Sequence, residues 1–401
     1  MSDRNETQEQ QEFREYCRQW LNENRPAPVA MPLPQAAYEV MTEDHRVYLC
    51  DWQSKCYEAG LIASDLSRDY GGHGFTGFQQ IASAEVRRAG VPYFINWIGL
   101  GMAVPTLLAH GTEQQKKTYL PKIFSGEEIW CQCFSEPGAG SDLASLQTSA
   151  VKDGDHWVVN GGKVWTSMAH LAKWMLLLAR TDKNDKHGGI TYFIAPMDHE
   201  GVTVTPIHKM TGESGFNEVH LENLIVPDHM RVDEIGAGWR VAMSTLTSER
   251  GAGLSVGAVA GESPVAVMEQ LIDLAKTTKR NGRSIWEDPV WRDRIVKLYE
   301  RTEALVQNAR RARIKELNGG AMRIPLQGKL VGSEISQDLH EVALGILGLQ
   351  SSLYVRDDNA PADGKWALGY MNTYTGTISG GSSEIQRNIL GERVLGLPKT
   401  K

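Results

Sequence analysis

The chain predicts a mostly α protein with a middle β domain, and three shifts in hydrophobic period carry that reading. Apolar residues recur at helical spacing from Gln11 to Phe124. From about Trp130 to Pro227 the period changes to two, and after Gly236 it returns to helical spacing. Helices, then strands, then helices fit separate layers or domains rather than alternating βα units. The expected domains are 1–129, 130–235 and 236–401. The same block order argues against a Rossmann dinucleotide site, so Gly138-Ala-Gly140 is no fingerprint of one.

In order, a first amphipathic helix over Gln11–Asn24 should end at Arg25-Pro-Ala-Pro28. A second, Glu43–Ala59, should stop at Gly60. Asp69-Tyr-Gly-Gly-His-Gly74 lacks the Lys-Ser/Thr of a phosphate loop and is expected to be a turn. Helices follow over Phe78–Ala89, over Asn96–His110, apolar enough to be buried, and over Glu113–Phe124. Strands are expected at Trp174–Arg180, Ile190–Ala195, Val202–His208 and Asn217–Leu221. The later helices are Trp239–Glu249 and onward, Pro264–Thr278, Pro289–Asn318 stopped by Asn318-Gly-Gly320, Gln327–Leu347 and Ser383–Val394.

Composition narrows the function. A chain of 401 residues with 41% hydrophobic content can bury a large core. A net charge of −7 without a basic block points away from nucleic acid and acidic membranes. No run reaches the ~18–20 apolar residues of a membrane span. The start, MSDRNETQEQQEF, reads as neither a secretory signal nor a transit peptide. Five cysteines, an odd number, argue against a disulfide framework and point to a reducing cytoplasm. Cys131 and Cys133 are expected to pack on opposite faces of a strand. No metal site is expected, since His340-Glu341 has no second His at the spacing zinc proteases use.

The chemistry concentrates in Trp130–Ser167. Phe134-Ser-Glu-Pro-Gly-Ala-Gly-Ser-Asp142 sets two hydroxyls around a tight turn. Trp157-Val-Val159, Asn160-Gly-Gly162 and Lys163-Val-Trp165 predict a hairpin that delivers Trp165 and Ser167 at fixed register. An aromatic plane beside hydroxyls and bare amides suits a flat electron-accepting ring such as a flavin. Glu136, within the loop, reads as structural.

These two segments, with Ser383-Glu-Ile-Gln-Arg-Asn-Ile-Leu-Gly-Glu-Arg393, resemble the acyl-CoA dehydrogenase family over nearly the whole chain. The resemblance implies an N-terminal helical domain, a middle β-barrel-like domain and a C-terminal four-helix bundle around FAD. It also implies an acyl-CoA substrate, oxidation between Cα and Cβ, an electron-transferring flavoprotein as partner, and a homodimer or homotetramer. Phe134, Ser135, Trp165 and Ser167 would flank the isoalloxazine. Ser141 would hold pyrophosphate or the acyl-CoA chain, and Ser382 and Glu384 would lie near the adenosine half. Arg250 would bind the CoA side. Lys279-Arg280 and Gly345–Gln350 are the nearest counterparts of the segments that a second subunit lends to FAD, which makes Arg280 a cofactor contact.

One departure matters. The family's commonest base is a Glu at the position occupied here by Gly380, on the substrate side of the site, and glycine cannot take a proton. Thr247-Ser-Glu-Arg-Gly251 is similar to the Glu-Arg pair of a minority of the family, so Glu249 is the expected base. The open glycines at Gly380-Gly381 and in Gly251-Ala-Gly253 suggest a branched or bulky acyl chain. Two other readings remain: an inactive flavin-binding subunit of a hetero-oligomer, and a flavin oxidase or monooxygenase of the same fold.

Overall fold

The computed structural model describes residues 6–249, 263–311, 314 and 323–399. Arg250, Gly251-Ala-Gly253 and Asn318-Gly-Gly320 lie outside the described residues. The chain forms two compact units, Met1–Glu249 with Gly253–Gly261, and Arg250–Ala252 with Glu262–Lys401.

The first unit opens with helices α1 (Gln8–Glu23), α2 (Glu43–Glu58), α3 (Gln79–Ala89), α4 (Val104–His110) and α5 (Glu113–Ser125). Thr7 and Thr112 cap α1 and α5 with reciprocal bonds to the Gln three residues on, a start signal visible in the sequence. The segment expected as one helix over 96–110 is helical from Trp97, with a π-helical turn at Gly99–Ala103 leading into α-helix over Val104–His110. Asp69–Gly74 is a turn, as expected, with Gly71 at φ 81°.

Eight strands follow: β1 (Trp130–Cys133), β2 (Ser149–Asp153), β3 (His156–Ser167), β4 (Trp174–Arg180), β5 (Ile190–Pro196), β6 (Val202–Ile207), β7 (Phe216–Pro227) and β8 (Arg231–Val232). The order is β6-β7-β3-β2-β4-β5-β8, with β1 parallel to β4. Strand β4 feeds two cores: Leu176 and Leu178 join the helices, while Met175, Leu177 and Ala179 fill the sheet's other face. Both faces are covered, which is why its sequence is apolar from Trp174 to Ala179. Cys131 and Cys133 share that second face, a correction to the opposite faces expected. Residues two apart in a strand point the same way.

The expected hairpin at Asn160-Gly-Gly162 does not form. β3 runs unbroken through it, paired with β2 on one side and β7 on the other. The two-residue turn lies earlier, at Gly154-Asp155, between β2 and β3. Asn160 instead accepts Asn223 N–H through its side chain at 2.8 Å, where β7 carries an extra residue. Gly161 is demanded by a close approach, since a Cβ there would lie 2.5 Å from Thr148 Oγ1 and 2.7 Å from Thr148 Cα.

Helix α6 (Gly238–Thr247) completes the described part of this unit. The second contains α7 (Pro264–Thr277), α8 (Pro289–Arg311), α9 (Arg323–Leu347), α10 (Lys365–Ile378) and α11 (Ser383–Ile389), and α9 touches α7, α8 and α10. Ile335, Leu339, Ala343 and Ile346 of α9 meet Met268, Leu271, Leu298 and Trp366 in one core. Sequence reading missed α10. Its N-cap is Gly364 with no side-chain cap bond, and Thr, Tyr and Gly weaken its helical signal. Among the described residues, no helix is long and apolar enough to cross a membrane.

Gly161→Ala should destabilise the protein by about 1–3 kcal/mol through overpacking against Thr148. Urea unfolding of the variant at unchanged m-value measures this, and unaltered stability would show that Thr148 yields.

Candidate active site

The segment after β1 is fixed at both ends. Near its start, Lys163 Nζ, fully buried on β3, donates to Glu136 Oε1 at 2.9 Å and to Phe134 O at 3.1 Å. The same carboxylate accepts Gln147 N–H at 2.6 Å and Thr148 N–H at 2.9 Å. Burial alone would raise the Glu136 pKa, but the Lys163 charge and these bonds outweigh it and hold the carboxyl below its ordinary value. Burial pushes the Lys163 ammonium down, with Glu136 opposing. Farther on, Arg180 donates to Leu146 O at 2.9 Å and Ala144 O at 2.6 Å.

Between these anchors Glu136 and Ala139 exchange backbone bonds, both 3.0 Å, around Pro137-Gly138. A Cβ on Gly138 or Gly140 would meet nothing within 4 Å. Among the described residues no contact therefore demands glycine at either position, whereas a ligand resting on the backbone would. That open cradle fits a cofactor held by amides. Ser141 is exposed beside Asp142, which pairs with Lys186 at 2.8 Å.

Val164 N–H donates to Ser135 O at 2.9 Å, so the two halves of the sequence segment meet in space. Just beyond, β3 bulges: Lys163 pairs with Val219 and Thr166 with Asn217, leaving one extra residue on β3. Trp165 sits in the bulge at φ 61°, rare for a bulky side chain, and is 59% exposed. Its ring stands edge-on to Phe216, centroids 6.3 Å apart, and Phe216 stacks on Tyr38 at 5.1 Å. An outlier backbone that exposes a Trp, flanked by half-buried Ser135 and Ser167, is an arrangement that would suit a flat ligand. Phe134 is buried behind it, edge-on to Tyr192 at 5.7 Å.

Glu249 stands at the end of α6, half-buried, where Ser248 and Glu249 widen the helix into a π turn. The cause lies in the preceding residues. Thr245, Thr247 and Ser248 each bond back to the carbonyl four residues earlier, at 3.1, 2.7 and 3.2 Å. Such back-bonding bends helices, and π turns recur at functional positions. One turn earlier His110 Nε2 lies 2.8 Å from Ser244 Oγ and its Nδ1 3.1 Å from Asp233 Oδ2. Asp233 in turn accepts from Arg240 at 2.8 and 2.9 Å. This has the order of a hydrolytic triad. However, Ser244 lies inside α6, where amides serve the helix ladder rather than an oxyanion.

In the second unit Gly380 and Gly381 form a turn at φ 63° and 92°. Gln386 Nε2 donates to Gly380 O at 2.9 Å and Lys329 Nζ to Gly381 O at 2.5 Å. Ser382 caps α11 through Ile385 N–H, and exposed Glu384 sits in its first turn. Its pKa is lowered by bonds from its own backbone N–H and from Ser382. Arg280 donates to Gly345 O and Ile346 O at 3.2 and 3.3 Å. It therefore joins the two segments singled out from the sequence, Lys279-Arg280 and Gly345–Gln350. Sequence reading missed Lys163, Arg180 and Lys329, whose partners are backbone carbonyls or distant carboxylates that leave no local pattern.

Three family models match: the acyl-CoA dehydrogenase N-terminal domain over residues 7–127, the middle domain over 131–224 and the C-terminal domain over 236–395. Acyl-CoA dehydrogenase IpdE1 of Mycobacterium tuberculosis is 37% identical, over 98% of this chain and 99% of that protein. The chain belongs to the acyl-CoA dehydrogenase family. It is thus an oxidoreductase acting on CH–CH groups. Among solved structures, the Tcur3481-Tcur3483 steroid ACAD is 29% identical with a TM-score of 0.80, covering 98% of this chain and 99% of that one. The ChsE4-ChsE5 complex of Mycobacterium tuberculosis is 27% identical with a TM-score of 0.78, covering 99% and 100%.

In this acyl-CoA dehydrogenase the loop clamp should be acid-sensitive. Glu136 is held below its unfolded value, so its contribution is full above the ordinary carboxylate range. It is lost as pH falls through the folded value. Lys163→Met strands a buried carboxylate and should cost roughly 3–5 kcal/mol at pH 7. The loss should shrink in thermal melts taken toward pH 3, and a pH-independent difference would refute the linkage.

Proposed function

We propose that this chain oxidises an acyl-CoA thioester between Cα and Cβ to a 2-enoyl-CoA, with Glu249 as the base. One observation carries the assignment: the usual base position is a glycine turn at Gly380, while Glu249 stands in a π turn at the end of α6. Bound FAD would supply the acceptor for the hydride leaving Cβ. The open Gly138-Ala-Gly140 backbone and the exposed Trp165 support a flavin ring held by Phe134, Ser135, Trp165 and Ser167. Ser141, Ser382 and Glu384 would serve its phosphate and adenosine parts, and Arg280 the FAD of a second subunit. Arg250 would hold the CoA side. The Glu249 carboxylate takes the α-proton. For that transfer the two pKa values must approach each other: desolvation raises that of the carboxylate, and hydrogen bonds to the bound thioester carbonyl would lower that of the α-carbon.

A homodimer or homotetramer in the cytoplasm, reoxidised by an electron-transferring flavoprotein, completes the proposal. Of two solved relatives, one named a steroid ACAD and the other a two-protein complex, the first supports a branched, ring-bearing or steroid-side-chain acyl group. They also favour one second reading. Gly380 would equally suit a flavin-binding subunit whose partner chain supplies the base.

FAD should copurify with the chain expressed alone, and Glu249→Gln should slow anaerobic flavin reduction by ~10²–10⁴-fold without loss of FAD. Wild-type reduction by the variant would move the base elsewhere, and a flavin inert to every thioester would favour the second reading. Across a series from butyryl-CoA to cyclohexanecarboxyl-CoA and steroid-side-chain thioesters, kcat/KM should favour the bulky members. Each methylene is worth about 1–3 kcal/mol in an apolar pocket, so a clear preference for butyryl-CoA would overturn the substrate class.

A further inference from the structure

A buried hydroxyl junction joins the loop that carries Phe134 to the helix that carries Glu249. Thr245 Oγ1 on α6 lies 2.8 Å from Thr106 Oγ1 on α4 and 3.2 Å from Tyr192 OH on β5. It also lies 3.1 Å from Val241 O, to which only it can donate. With its single proton spent there, its two lone pairs accept from Thr106 and Tyr192, so every bond direction is fixed. All three side chains are buried to about 1% exposure or less. In such surroundings an unmade hydroxyl bond costs more than it would in water, and the geometry is correspondingly stiff.

The junction has two outward links. The Tyr192 ring meets Phe134 edge-on at 5.7 Å, at the start of the glycine loop. The N–H of Ser248, the residue before Glu249, is shared between Ser244 O and Thr245 O. The separate Ser244–His110–Asp233 chain fixes the neighbouring residue of α6 to α4 and to the segment after β8. Helix α6 is thus tied at two consecutive residues, four and five positions before Glu249.

We propose that Tyr192 and Thr245 are positioning residues for the reaction: their bond sets α6, and hence Glu249, against the Phe134 loop. This rests on the reading of Glu249 as the base. Neither hydroxyl needs to touch substrate. Removing the Tyr192 hydroxyl leaves its ring on Phe134, so the loop keeps its packing while α6 loses a tie. Proton removal should suffer and binding should not.

The test uses full-length Tyr192→Phe, Thr245→Val and Thr245→Ser proteins, with Glu249→Gln as reference. Anaerobic flavin reduction is followed with whichever of isobutyryl-, cyclohexanecarboxyl- or butyryl-CoA reduces the parent fastest. Tyr192→Phe and Thr245→Val should reduce flavin about 10–100-fold more slowly, the scale of a small misplacement, with thioester Kd and FAD content unchanged. The deuterium isotope effect at Cα should rise while that at Cβ does not. Thr245→Ser, which keeps the hydroxyl, should recover most of the rate. If Glu249→Gln is slow but Tyr192→Phe and Thr245→Val match the parent, with only a lower Tm, the junction is structural and the inference falls while the base assignment stands. Equal increases in both isotope effects would likewise overturn it. If Glu249→Gln reduces flavin at the parent rate, the base assignment fails and the inference with it.

Discussion

The buried pair between Lys163 and Glu136 is the contact on which the candidate site depends. Two charges withdrawn from water lose several kcal/mol of hydration each, and attraction offsets that only when the remaining valences are filled. Here they are filled: the carboxylate takes two backbone amides and the ammonium adds the Phe134 carbonyl. An apolar pair of equal volume could match the stability. It could not fix where the loop's amides and carbonyls point. The pair holds the first residues of the glycine loop to the strand that presents Trp165, with the bond from Val164 N–H to Ser135 O alongside.

Much of this organisation was legible beforehand because it is periodic or local. Helices α2, α3 and α5 fell within a residue of expectation, since Thr42, Thr112 and the glycines 90 and 126 mark their ends. β7 kept its pattern even across its bulge: the buried set runs Asn217, Val219, Leu221, then skips to Leu224 and Val226. The failures were instances of tertiary pairing overriding local chemistry. Asn-Gly-Gly is a strong turn signal in isolation, but strands on both sides of β3 bond to that segment and keep it extended.

The site divides the same way. That Ser135 and Trp165 belong together was readable from one stretch of sequence. That Thr245 meets Thr106 and Tyr192, 139 and 53 residues away, was not. Thr and Tyr inside amphipathic patterns read as ordinary partly buried residues. Their bonds exist only because α4, α6 and β5 converge. Arg280 is an intermediate case: its segment was singled out with Gly345–Gln350, and the bonds to Gly345 O and Ile346 O give the physical link.

The glycine at position 380, where the proposed function places the family's usual base, also answers a backbone requirement. Gly380 and Gly381 occupy positive φ, 63° and 92°, and the second value lies beyond the small left-handed region other residues enter. Their carbonyls are held by Gln386 and Lys329, from two different helices. A Glu written back at 380 would face backbone strain of order 1–3 kcal/mol and a turn already fixed by those two donors. At the end of α6 the constraint is opposite in kind. Three hydroxyls loosen the helix ladder just before Glu249, so the backbone there is shaped by side chains rather than by the absence of one. On the proposed assignment of the base to Glu249, two backbone features accompany it, a glycine turn on one segment and a widened helix end on another.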